Sequence, residues 1–138
     1  MQVVPMIQVA DVAAASGWYQ RTLGLTSGHG GDEFEMLYAG EPYVSPLLLQ
    51  LHPWDADEHG FLGSPDLPAG NGCSLWFQVE DRAEFDQAWE RAQQSAADHV
   101  IAEPAWNPLA HHHEFSLRDL DGYVLAVHTP FGHDPDES

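Results

Sequence analysis

The run His111-His112-His113-Glu114 sets three imidazoles beside a carboxylate, and His52, His59 and His128 stand in segments that could approach it. Such side chains chelate divalent metals or move protons near neutral pH. On a strand, neighbouring side chains point to opposite faces, so His111 and His113 share one face while His112 and Glu114 share the other. His112 with Glu114 and His52 would make a displaced metal site, and His113 alone would point to solvent. Without a metal, Glu114 could serve as a general base. Clustered histidines at a strand entrance are more often polar pocket or surface groups than ligands. The sequence therefore predicts no cofactor, with a divalent metal on His52, His112 and Glu114 as the alternative. No serine or cysteine nucleophile stands in a motif context, since Ser74 and Cys73 sit bare in a strand.

The elements that would carry these residues come in two copies. Gln8-Val9-Ala10-Asp11 recurs as Gln78-Val79-Glu80-Asp81, and each copy ends a stretch of period-two alternation, as expected of a half-buried strand. Helical spacing follows over Val12 to Leu23 and over Arg82 to Ala97, with Asp11 and Asp81 as N-caps and Gly24 closing the first helix. Phe34-Glu35-Met36-Leu37 then echoes Phe115-Ser116-Leu117-Arg118. Leu47 to Pro53 echoes Tyr123 to Pro130, pairing Gln50 with Ala126 and His52 with His128. This pattern predicts an α+β fold of two tandem βαβββ modules with a mixed sheet. One domain spans 1–131, with module one about 1–53, a linker or lid over 54–71 and module two about 72–131. An acidic tail follows at 132–138.

Alternation also assigns the faces. Val3, Ile7, Leu49, Leu51, Leu75, Phe77, Leu125 and Val127 should meet the helices, joined by Phe34, Met36, Phe115 and Leu117. The opposite face then receives Met6, Gln8, Leu48, Gln50, His52, Trp76, Gln78, His112, Glu114 and His128 as the predicted ligand-binding set. Ser74, Ser116, Val124, Ala126, Glu33 and Glu35 go to the same side. An apolar wall with a few convergent polar groups has the character of a small-molecule site.

Composition limits the partners. Twenty-two acidic residues face four arginines and no lysine, for a formal charge of −18 over 138 residues. A duplex needs basic side chains to displace its counterions, so nucleic acid is disfavoured, whereas a cationic ligand would be attracted. No apolar run approaches the roughly 20 residues that span a bilayer, and a soluble, cytoplasmic protein without membrane contact is expected.

The strand and helix from Val4 to Asp11 and Trp18 to Leu25, with His113-Glu114-Phe115-Ser116-Leu117-Arg118-Asp119-Leu120-Asp121-Gly122-Tyr123, resemble the vicinal oxygen chelate superfamily of glyoxalases, bleomycin-resistance proteins and extradiol dioxygenases. With the repeat, the resemblance covers nearly the whole chain. It implies a sheet curved in each module, with helices on the convex side and a concave ligand cavity enclosed by two modules, a homodimer as in many single-domain members, and in catalytic members a divalent metal held from the first and last strands of each module. Those positions fall here on Val4, Gln50, Ser74 and Ala126, of which only Gln50 is of the His, Gln or Glu type that the family uses, and the aliphatic Val4 and Ala126 have no lone pair to donate. The branch implied is the bleomycin-resistance one. Its members bind small molecules without metal and sequester them, and an antibiotic or another cationic or aromatic compound would be the ligand. A metal-dependent lyase, isomerase or dioxygenase is the alternative, and a degenerate regulatory module the third reading.

Overall fold

The structure, a computed structural model, describes residues 1–54 and 60–132. Residues 55–59, His59 among them, and the tail from residue 133 lie outside the described residues. By contacts between Cα atoms the chain forms two compact units, Met1–Ala69 and Gly70–Ser138.

The first unit runs β1 (Met6–Val9), α1 (Val12–Leu23), β2 (Thr26–Ser27), β3 (Glu35–Tyr38) and β4 (Leu47–Pro53). Its sheet has the order β1-β4-β3-β2, with β1 parallel to β4 and the other pairs antiparallel. Asp11 caps α1 by accepting the Ala14 N–H at 2.9 Å. Gly24 ends the helix at φ 71°, a left-handed turn that a Cβ would strain. Val12, Ala15 and Tyr19 are buried on the inner stripe of α1, as are Ile7, Leu49 and Leu51 on the sheet.

The second unit repeats the scheme as β5 (Ser74–Gln78), α2 (Arg82–Ser95), β6 (Val100–Asn107), β7 (His112–Arg118) and β8 (Val124–His128), in the order β5-β8-β7-β6. Asp81 caps α2 by accepting the Glu84 N–H at 2.8 Å. The helix stops at Ser95 rather than Ala97, and Ala97–His99 turns as a short 3-10 helix. Phe85 and Trp89 of α2 meet Phe115 at ring-centroid distances of 5.4 and 5.1 Å. The expected α+β fold of two tandem βαβββ modules is thus what the chain forms, as two mixed four-stranded sheets with one helix each.

Several face assignments need correction. Glu35 pairs with Leu51 and Leu37 with Leu49, so Glu35 lies on the helix side, 1% exposed, and Met36 beside Gln50 lies on the other. Phe34 precedes β3, so it does not share its helix-facing row, and Glu33 is an exposed loop residue. The echo of Phe34 with Phe115 was one residue out of register, and such a slip inverts every side chain on a strand. Val3 lies before β1 and is 84% exposed, so it meets no helix. Phe77 is only half-buried.

Candidate functional site

In the second unit, pairing fixes which side chains share the face away from α2. Ser74 lies beside Val124, Trp76 beside Ala126 and Gln78 beside His128; across β8, Ala126 faces Ser116 and His128 faces Glu114. On this face lies a pocket of about 240 Å³ whose walls include Trp76, Val124, Ala126 and Glu114. Ser74 and Ser116 add hydroxyls, and Ala102, Glu103 and Ala105 close the side formed by β6. Trp76 is 51% exposed, far more than the buried aromatics on the helix side. Its indole N–H donates to Ser74 Oγ at 2.8 Å, which fixes the ring's attitude on the strand.

Beside the pocket, and more deeply buried, sit His112 and His128. Their rings lie 4.6 Å apart, and each lies 5.0 Å from Phe131. Trp76 approaches them at 6.0 and 5.6 Å. His128 Nδ1 donates to its neighbour's carbonyl, Thr129 O, at 2.7 Å. Burial holds the His128 imidazole below its ordinary range; that hydrogen bond and the Glu114 charge oppose the shift without reversing it, while His112 adds to it. His112 Nε2–H donates to Glu114 Oε2 at 2.5 Å. The site therefore gathers Trp76 and Glu114 in the pocket wall and places His112 and His128 next to it. Gln78 is exposed at the end of β5 beside His128.

In the first unit, Met6 lies beside Gln50 and Gln8 beside His52, on the face opposite Ile7 and Leu51. Leu48, half-buried, belongs to the same row of β4 as Gln50 and His52. Gln8 is 2% exposed and its Nε2 donates to Pro53 O at 3.4 Å. His52 Nδ1 donates to the same carbonyl at 2.8 Å.

His113 does not turn to solvent as expected. It faces α2, where Arg82 Nη1 donates to its Nε2 at 3.0 Å and Phe85 and Trp106 pack on its ring. His111 precedes β7, in a turn at φ 54°, so the strand alternation begins only at His112. Sequence reasoning missed β6 altogether, and with it Ala102, Glu103, Ala105 and the Glu114 partner Asn107. Pro104 interrupts that strand and its register shifts at Ala102 and Ala105, so the period-two signal is broken. Its counterpart β2 has two residues and offers no template.

The donors do not suit a divalent ion at the positions the resemblance implies. Ala126 has no lone pair, and Ser74 Oγ already accepts the Trp76 N–H. Of the alternative set, His112 and Glu114 are bonded to each other. Among the described residues no group of three or more histidine, cysteine, aspartate or glutamate side chains is arranged to hold a metal. No helix among the described residues is long and apolar enough to cross a membrane.

Known structures share this architecture. A glyoxalase/bleomycin resistance protein/dioxygenase family enzyme from Burkholderia phytofirmans PsJN superposes with a TM-score of 0.69 at 19% identity, covering 91% of this chain and 95% of that one. A lactoylglutathione lyase from Agrobacterium tumefaciens gives 0.62 at 18% identity, with 94% and 92% covered. A glyoxalase-related enzyme from Fulvimarina pelagi gives 0.69 at 16% identity, with 100% and 96% covered. At these identities the likeness concerns the fold. No curated protein matches the sequence significantly. A family model described as the Glyoxalase/Bleomycin resistance protein/Dioxygenase superfamily matches residues 2–127, and with both modules and the strand order in place the chain belongs to that superfamily.

Proposed function

We propose that the chain is a metal-independent binding protein that holds a small aromatic or cationic compound on the open face of its second sheet and sequesters it unchanged. The observation that carries this reading is the pairing of a half-exposed Trp76 with Glu114 in one pocket. An indole face attracts flat rings and cations, and a carboxylate fixes the charged end. The pocket's volume, about 240 Å³, lies below the roughly 300–1,000 Å³ of drug-sized sites. It suits a ring system with a short polar arm, whether free or as one part of a larger cationic antibiotic. The formal charge of −18 raises the local concentration of such cations.

The test is calorimetric titration of untagged protein with 1-naphthylmethylammonium, alongside metal analysis of the same preparation. Saturable binding that Trp76→Ala abolishes, with well under one metal ion per chain, is the expected result. Absence of saturable binding overturns the pocket as the site. One tightly held zinc, nickel, manganese or iron ion per chain overturns metal independence and favours a lyase, isomerase or dioxygenase.

A further inference from the structure

Glu114 is held in an asymmetric way. His112 Nε2–H donates to its Oε2 at 2.5 Å and Asn107 Nδ2 donates to the same oxygen at 3.3 Å. Among the described residues Oε1 receives no hydrogen bond, although the side chain lines the pocket and is 29% exposed. One carboxylate oxygen is thus anchored and the other is presented.

The anchors are themselves fixed. Asn107 Oδ1 accepts the Leu109 and Ala110 N–H groups at 3.0 and 3.2 Å, which leaves its amide nitrogen no choice but to face Glu114. The His112 ring is 1% exposed and packed against His128 and Phe131, so it cannot swing away. Its Nδ1 is buried without a hydrogen-bond partner. The ring's polar commitment is therefore to Glu114 alone.

From this geometry we infer that Glu114 Oε1 is the specificity-determining acceptor of the site, and that the ligand class is a primary ammonium or guanidinium carried on a flat apolar ring. His112 and Asn107 act as positioning residues. The inference rests on the Trp76 face being a ligand site, and it goes further in one respect. An indole face alone would accept a quaternary ammonium equally well or better, since cation–π attraction needs no N–H. A carboxylate oxygen with open lone pairs rewards N–H donors, through the stronger charge-assisted hydrogen bond. Glu103, a second carboxylate in the pocket wall, has the same preference of sign.

Three probes of one shape separate these terms: 1-naphthylmethylammonium, its N,N,N-trimethyl derivative and neutral 1-naphthalenemethanol, each titrated calorimetrically into the full chain. The primary ammonium should bind about tenfold or more tightly than either of the others. In Glu114→Gln the ammonium and the alcohol should come within about threefold of each other, because the charge-assisted bond is gone. His112→Phe keeps the ring and removes the donor, and it should reduce the ammonium preference several-fold. His112→Gln, which retains an N–H donor, should restore part of it. A residue needed only for folding would alter all three affinities together and leave their ratio unchanged. Equal binding of all three probes to the wild-type protein overturns the role of Oε1 while leaving the pocket in place. If none of the three binds, the pocket itself fails as a site, and the inference with it. The wild-type comparison decides the matter even where a variant does not fold.

Discussion

The two modules place different chemistry at the same point of the same scaffold. Four residues after each capping aspartate comes a buried helix residue, Ala15 in the first module and Phe85 in the second. At matching positions on the helix side of the sheet, each paired with a residue of its module's last strand, stand Glu35 in the first and Phe115 in the second, both 1% exposed. The second module fills this layer with rings: Phe85, Phe115 and Trp89 in contact. The first fills it with a carboxylate. Glu35 Oε2 accepts the Ser16 and Ser27 hydroxyls at 2.7 and 2.8 Å, and Oε1 accepts the N–H groups of His29, Gly30 and Met36 at 3.2, 2.9 and 2.9 Å. A buried charge is tolerable when its lone pairs are satisfied, and this one ties a loop, a helix and a strand together. A layer of a module can thus be closed by dispersion or by hydrogen bonds, and the two solutions should fail in different ways.

The largest effect is expected where rings do the packing. Phe115→Ala removes the centre of an aromatic cluster and should cost about 3–5 kcal/mol in denaturant melting. A cost under about 1 kcal/mol would show that the second module does not depend on this layer, and the contrast with Glu35 would lose its ground.

Glu35→Gln should cost less, about 1–3 kcal/mol at neutral pH, because the amide keeps the shape but turns an N–H₂ toward groups that already donate. Its signature is the pH dependence. Burial alone would raise the Glu35 carboxyl, but the bonds from the Gly30 N–H, Ser16, Ser27 and the Met36 N–H together outweigh it and hold the group below its ordinary value of 4.5. A lowered carboxylate contributes stability that is complete above the unfolded value and is lost as pH falls through the folded one. The gap between wild type and Glu35→Gln should therefore stay constant above about pH 5 and narrow below 4.5. His128, held below its ordinary 6.5 mainly by burial, acts in the same sense at higher pH, since the unfolded chain takes up the proton first. Wild-type stability should begin to fall below pH 6.5 and fall again below 4.5, and Glu35→Gln should lack only the second step. A variant whose gap to wild type persists unchanged at pH 3 would mean that the carboxylate is not what holds the loop.

The same residue shows where the sequence stopped being legible. Both capping aspartates, the Gly24 terminus, both helices and the β1, β4, β5 and β8 alternation could be read directly, because each follows a local rule. Glu35 broke the rule for β3. A charged residue in a helix-facing position looks like a solvent-facing one, and the neighbouring Phe34 and Met36 supplied a plausible apolar row that was one residue out of phase. What stabilises Glu35 comes from Ser16, Ser27 and a loop, none of which a periodic pattern within β3 can report. The site was legible in the same measure. Trp76 and Glu114 follow from alternation, and the structure places both in the pocket wall. Asn107, Ala102, Glu103 and Ala105 required β6, whose proline and shifted register conceal the strand.

The smallest effect on stability, and the sharpest on binding, is expected at Trp76. Its ring lies on the second sheet's other face, 51% exposed against 1% for Phe115. Truncating a half-exposed aromatic removes about half the buried area, so Trp76→Ala should cost roughly 1–2 kcal/mol, well below Phe115→Ala. What it keeps in order is local: the bond to Ser74, a tilted ring contact to His112 at 6.0 Å and an edge contact to His128 at 5.6 Å. On the function proposed above, this large, half-exposed side chain beside a carboxylate with an open oxygen meets the ligand rather than the core. Paired melts of Trp76→Ala and Phe115→Ala, with calorimetric titration of 1-naphthylmethylammonium into the wild type and into Trp76→Ala, measure both halves of that statement. The expected pattern is a small loss of stability with loss of binding for Trp76→Ala, against a large loss of stability for Phe115→Ala. If Trp76→Ala melts as low as Phe115→Ala and still binds the probe as the wild type does, the open face is a packing surface, and the two faces of the second sheet do not divide the work of folding and binding.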